Sequence, residues 1–106
     1  GRFLAAVATT GGVGLWDLKS GETMLPHLLS MRADYYWCVR FHPDGKHVGF
    51  GLWSGFVEVI RLTDGDYTVK QDVPIHRGRV WDLVFTRDGK KMVTGGDDGV
   101  ILIWDI

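Results

Sequence analysis

Short apolar runs along this chain alternate with polar positions and are cut by turns rich in glycine. The clearest case lies between His76 and Asp105, which reads HRGRVWDLVFTRDGKKMVTGGDDGVILIWD. Val80, Leu83 and Phe85 mark one apolar strand, Arg87-Asp88-Gly89-Lys90 a turn, and Met92, Val93 and Thr94 open a second strand. Gly95-Gly96-Asp97-Asp98-Gly99 predicts the next turn. Val100-Ile101-Leu102-Ile103-Trp104 is a continuous apolar run, the pattern of a strand buried on both faces. Asp-Gly pairs serve such turns because glycine supplies positive φ at little steric cost. A meander of three antiparallel strands is expected here.

The same alternation predicts strands over 2–8 and 13–18, then an outer strand over 23–29 that contains Pro26. Proline has no N–H for a ladder, so that strand belongs at a sheet edge. After a link over 30–34, strands are expected over 35–41, 47–53 and 56–62, with an outer strand over 67–74 that again ends in proline. The loops between them are short. The strands thus come as three, then four, then three.

The last stretch also superposes on earlier parts of the chain without a gap. One stride carries Phe85 onto Phe41, Asp88-Gly89 onto Asp44-Gly45, Trp81 onto Trp37, Gly95 onto Gly51 and Gly99 onto Gly55. A second stride carries Trp104-Asp105 onto Trp16-Asp17 and Met92 onto Leu4. A period of roughly 40–50 residues built from strands points to the blades of a propeller.

The final copy resembles a WD40 repeat. The resemblance rests on His76, Val80, Leu83, Phe85, Asp88-Gly89, Thr94-Gly95-Gly96, Asp98, Ile101, Ile103 and Trp104-Asp105, and the common stride extends it over nearly the whole chain. It implies an all-β fold of four-stranded antiparallel β-propeller blades. Residues 1–29 would be a partial blade, 30–74 a complete one, and 75–106 a partial blade lacking its outer strand. A ring needs roughly four to eight blades, so this arrangement reads as part of a longer propeller whose remaining blades are its first partners. Self-association is the alternative, but the three-strand ends do not complement each other.

Composition narrows the class of partner. The chain has 106 residues, 45% hydrophobic and 24% charged, and a net charge of −1, which gives no general attraction to nucleic acid or anionic membrane. The single Cys38 excludes an internal disulfide framework and points to an intracellular setting, nucleus or cytoplasm. The opening residues read as strand and turn in place of a signal peptide, and no apolar run approaches the length of a membrane span.

Four positions match the family's buried hydrogen-bond chain: His76, Thr94, Asp98 and Trp104. Buried His and Asp must be paired, and a series of indole N–H, hydroxyl, imidazole and carboxylate would satisfy each group. A catalytic trio of His, Asp and Thr is the competing reading, and the structural one is preferred. One repeat earlier the positions hold Arg32, Phe50, Ser54 and Ile60, which cannot form the chain; two repeats earlier only Thr10 and Trp16 remain. The middle blade is therefore expected to rely on apolar packing of Val39, Phe41, Val48, Val57 and Val59.

The resemblance also implies a partner-binding rim. By register this comprises Arg79, Trp81 and Asp97 in the last blade, Tyr35, Trp37 and Trp53 in the middle one, and Thr9 in the first. Arg79 and Trp81 flank Val80, so they point away from the blade packing. Arginine and large aromatics on one rim have the composition of a binding hot spot. Packing of Trp37 and Trp81 between blades stays open as an alternative.

The expected function is non-catalytic: a scaffold within a multiprotein complex that binds other proteins or peptides. A nucleic-acid surface using Arg32, Arg40, Arg77 and Arg79 beside Tyr and Trp is the second reading. No cofactor is expected. His27, His42 and His47 show no metal-ligand spacing with one another or with Cys38, and Gly11, Gly12 and Gly14 lie in a hairpin with no following helix to make a phosphate loop.

Overall fold

The structure is a computed structural model that describes residues 2–8, 13–21, 23, 35–63 and 66–106. Among these every regular element is a strand: β1 Phe3–Val7, β2 Val13–Asp17, β3 Tyr36–Phe41, β4 His47–Leu52, β5 Phe56–Thr63, β6 Asp66–Pro74, β7 Val80–Phe85, β8 Lys91–Gly96 and β9 Ile101–Asp105. They form three antiparallel sheets, ordered β1-β2, β3-β4-β5-β6 and β7-β8-β9. Thr23 adds a single antiparallel bridge to Trp16 beyond β2. The outer strand expected over 23–29 with Pro26, the link over 30–34, His27, Arg32, and Thr9 to Gly12 lie otherwise outside the described residues. The architecture is all-β, in the manner of partial propeller blades.

The turns follow from their glycines. Gly45, Gly89 and Gly99, each preceded by Asp, have φ of 70, 75 and 73°, the left-handed region that a side chain disfavours. The Asp88 carboxylate of the β7–β8 turn accepts the Lys90 N–H (3.0 Å) and the Thr86 hydroxyl (2.7 Å). Asp44 holds the corresponding β3–β4 turn through the N–H groups of Lys46 and His47.

Two apolar cores separate the sheets. Leu15, Tyr36, Val48, Phe50, Leu52, Ile60 and Leu62 are buried together, with Phe3, Ala5, Val39 and Phe41 packed on them. Val57, Val59, Val80, Leu83 and Met92 form the second core, joined by Cys38, Phe85 and Trp104. Strand β5 thus feeds both: Val57 and Val59 face one core, Ile60 and Leu62 the other, and its ladder with β6 shifts register between Val59 and Ile60. A polar pair lies inside the first core, where the Tyr36 hydroxyl donates to Glu58 Oε2 at 2.7 Å.

Strand β9 differs from its expected burial on both faces. Leu102 and Trp104 are half-buried, whereas Ile101 and Ile103 are 73% and 66% exposed. The physical reason is position: β5 has a sheet on either side of it, while the face of β9 that carries Ile101 and Ile103 has none among the described residues. The turn before it is also tighter than the sequence indicated, since Gly95 and Gly96 belong to β8.

Candidate functional site

The two inner strands β3 and β7 carry the same irregularity. In the β3–β4 ladder Tyr36 pairs with Leu52 and Cys38 with Gly51, leaving Trp37 as an extra residue. In the β7–β8 ladder Val80 pairs with Gly96 and Asp82 with Gly95, leaving Trp81 extra. Each is a β-bulge, a device that re-aims one side chain out of the strand's alternation. Both bulges aim an indole at the same place. Trp37 meets Trp81 edge to face at 5.6 Å between centroids and 90°, and meets Trp53, from the β4–β5 turn, at 5.5 Å and 66°.

Arg79 lies among the three rings. Its guanidinium carbon is 3.8 Å from the Trp81 ring centroid, 4.3 Å from Trp53 and 4.6 Å from Trp37, all within cation–π range. Asp97 closes the flank: Oδ2 lies 3.5 Å from Arg79 Nε, Oδ1 accepts the Trp81 indole N–H, and the Asp97 N–H donates to the Arg79 carbonyl at 2.9 Å. Gly78 lets the chain pass beneath. It has φ of 103°, and a Cβ there would meet Asp97 Cβ at 3.1 Å.

Five of the six rim residues read from the sequence therefore form one cluster: Arg79, Trp81, Asp97, Trp37 and Trp53. The sixth, Tyr35, is exposed and joined to Trp53 through the backbone, its carbonyl accepting the Trp53 N–H at 2.8 Å. Trp81 and Trp53 remain 49% and 46% exposed, while Trp37 lies between the sheets and is half-buried. Thr9 is outside the described residues. The stacking of Arg79 on residues of two sheets was not legible from spacing, and neither were the bulges, which are properties of a ladder.

Beneath the rim, His76 is buried. Its Nδ1 lies 3.0 and 3.2 Å from the two oxygens of Asp98, and its Nε2 is 2.8 Å from Thr94 Oγ1. Burial pushes the Asp98 carboxyl up, but the N–H groups of Arg77 and Val100 and the His76 ring outweigh it and hold it below the usual range. An ionised Asp98 takes the Nδ1–H, which leaves Nε2 to accept the Thr94 hydroxyl proton. Trp104 is a correction to the expected quartet: its Nε1 is buried with no hydrogen-bond partner among the described residues. Trp104 sits opposite Met92 in the β8–β9 ladder, whereas Thr94 faces Leu102, and its indole packs on the second apolar core. Thr94 and the His76 ring are enclosed, so the trio offers no nucleophile to a substrate.

A second cluster was missed. His42, Asp44 and His47 bring potential ligand atoms within 4.8 Å of one another, although their spacing carried no ligand motif. These atoms are already engaged in the turn. His42 Nδ1 is 3.1 Å from both the Asp44 N–H and Asp44 Oδ1, its Nε2 donates to the Gly89 carbonyl at 2.8 Å, and His47 Nδ1 is 2.8 Å from Asp44 Oδ2. His42 also meets the Phe85 ring at 5.1 Å. This geometry ties the β3–β4 turn to the β7–β8 turn.

Comparison with known proteins agrees with the repeat. The family described as WD domain, G-beta repeat matches residues 67–105. WD repeat-containing protein 3 homolog of Dictyostelium discoideum is 33% identical over 88% of this chain and 9% of its own length. Telomerase protein component 1 of Rattus norvegicus is 32% identical over 97% of this chain and 4% of its own. The chain thus spans about a tenth or less of these curated relatives. A crystal structure of the computationally designed Ika4 protein superposes with a TM-score of 0.77 at 22% identity, covering all of this chain and 61% of that one, a likeness of fold. Matched repeat, recurring bulges and packed antiparallel sheets converge: the chain is a stretch of WD40 repeats and belongs to that family.

Proposed function

We propose that this chain works without catalysis, as a rigid platform that binds a protein or peptide on the rim formed by Arg79, Trp81, Trp37, Trp53 and Asp97. One observation carries the reading: three indoles from two sheets converge on one arginine, and two of them stay about half exposed. Aromatic and arginine side chains held by a sheet lose little conformational freedom on binding, so more of the contact energy appears as affinity. Tyr35 extends the surface. The network of His76, Thr94 and Asp98 keeps the platform stiff. The exposed face of β7–β9, with Ile101, Ile103 and Val84, is suited to packing against a further blade of the same propeller.

Panning a random peptide display library against the chain tests the rim. Peptides selected on the unaltered chain should bind with affinities that fall about tenfold or more in Trp81→Ala or Trp37→Ala. They should be unaffected by Lys70→Ala on the outer strand β6. Selected peptides that ignore both tryptophan changes, in variants with an unchanged circular dichroism spectrum, refute the proposal.

A further inference from the structure

We propose that the rim recognises an acidic peptide segment, with Arg79 as the receptor for a carboxylate flanked by an apolar residue; this rests on the reading of the rim as the partner site. The first argument is an inventory of donors. Arginine carries five N–H donors in a planar fork. Among the described residues the Arg79 guanidinium makes no hydrogen bond: its Nε is buried without a partner, and the nearest carboxylate oxygen, on Asp97, is 3.5 Å away, longer than a normal N–H···O bond. An incoming acceptor cannot reach the enclosed Nε, but it can take the unpartnered Nη donors at the outer end of the same fork.

Two further observations choose an anion over a cation. The guanidinium already fills the space between the indole faces of Trp81, Trp53 and Trp37. A lysine or methylated ammonium from a partner would meet a positive charge where an empty aromatic box would be needed. What stays open to solvent is an edge of the fork, as the side chain is 19% exposed. A carboxylate can approach such an edge in plane and accept two parallel hydrogen bonds. The stacked rings have already removed the rotational freedom of the arginine, so its ordering is complete before the partner arrives.

The surroundings favour a peptide over a nucleic acid. Asp97 flanks Arg79, and Asp82 on β7 pairs with Arg40 on β3 at 3.3 Å with both side chains exposed. Carboxylates interleaved with arginines repel a continuous polyphosphate, which needs an unbroken run of cations. They tolerate a chain bearing one isolated carboxylate. The inner indole faces are covered by the guanidinium, which removes the stacking platform a base would use. The exposed parts of Trp81 and Trp53 supply an apolar shelf beside the arginine, hence the apolar neighbour to the acidic residue.

The test takes peptides panned on the chain and replaces each Asp or Glu in turn by Asn or Gln. The proposal expects one acidic position whose amide replacement weakens binding about tenfold or more, next to an apolar residue. Arg79→Gln should erase the difference between the acidic and amide peptides. Arg79→Lys, which keeps the charge but not the fork, should keep only part of it. Peptides that depend on Trp81 but bind equally well as amides, or that require Lys, overturn the acidic partner and leave the rim standing. Peptides indifferent to Trp81→Ala and Trp37→Ala, or no enriched peptide at all, overturn the rim itself. Displacement of the peptides by a uridine oligonucleotide with a steep salt dependence would replace the peptide reading by a nucleic-acid one.

Discussion

Thr94→Val isolates the hydrogen bond that ties His76 to β8. Valine keeps the branched shape and removes only the hydroxyl, so packing is little changed while Nε2 of His76 loses its 2.8 Å partner. The His76 side chain is 0% exposed, so water cannot take the place of the hydroxyl. A buried acceptor left unsatisfied costs about 1–3 kcal/mol. In a domain of about 100 residues each kcal/mol moves the melting midpoint by roughly 4–8 °C, so the variant should melt well below the parent. Far-UV circular dichroism against temperature reads this. Thr94→Ser, which keeps the hydroxyl and loses the methyl, should be the milder change. Adding His76→Leu to Thr94→Val should cost less than the two single changes together, because the orphaned acceptor is then gone. If Thr94→Val melts with the parent while Thr94→Ser melts lower, Thr94 acts through its methyl group and the hydrogen-bond argument fails.

Three other outcomes follow from the geometry. Gly55→Ala should cost at least ~2 kcal/mol, since Gly55 has φ of 94° and a Cβ there would strike the His76 carbonyl oxygen and lie 2.8 Å from that of Gly78; a urea midpoint equal to the parent's would contradict it. Burial pushes the Cys38 thiol from its ordinary 9.0 to about 11, so alkylation of the folded chain at mildly alkaline pH should run roughly a hundredfold slower than after unfolding, and equal rates would show the thiol to be open. Burial pushes the Asp44 carboxyl up, but the Lys46 N–H, the His47 ring and the His47 N–H outweigh it and bring the value from 3.8 down to about 2. A depressed carboxyl stabilises the fold fully above its unfolded value and loses that contribution as pH falls through the folded one. Stability should therefore drop between about pH 4 and pH 2, less steeply in Asp44→Asn, as followed by the urea midpoint at each pH.

Much of the fold was legible because it is written locally. Alternation placed the nine described strands to within a residue or two, and Asp-Gly pairs placed Gly45, Gly89 and Gly99 in the turns where their φ is positive. The stride that carries Trp81 onto Trp37 also carries one β-bulge onto the other, so the equivalence of the two indoles was readable although its cause was not. What could not be read depends on how one sheet leans on the next. The contacts of Arg79 with Trp37 and Trp53, of His42 with Gly89, and of Cys38 with the Val80 carbonyl all join residues of different sheets. Tyr36 and Glu58 share a sheet, but on strands β3 and β5 that are not neighbours. Trp104 shows the opposite failure: its sequence position suited the polar chain, while the β8–β9 register set it across from Met92.

The polar network and the rim are one construction when followed through the link between β6 and β7. The Gly55 carbonyl accepts the N–H groups of both Ile75 and His76, at 3.0 and 3.1 Å, which hangs the link from the turn that carries Trp53. Asp98 then accepts the Arg77 N–H at 3.1 Å while holding His76, which ties the same link to the β8–β9 turn. Asp97, one residue earlier in that turn, donates its N–H to the Arg79 carbonyl and offers its carboxylate to Arg79 and Trp81. Arg79 is thus suspended between two turns, each of which brings one wall of its enclosure. Buried His76 and half-buried Asp98 cost desolvation that apolar residues would avoid, and in the middle sheet the buried Phe50 and Ile60 stand at the positions of Thr94 and Trp104. The trio of His76, Thr94 and Asp98 belongs to the sheet whose turn also holds the arginine in place. Loosening His76 should accordingly reach the rim: Thr94→Val, at temperatures where it is still folded, should weaken rim-selected peptides by raising their dissociation rate, and an unchanged rate would separate the two halves of the construction.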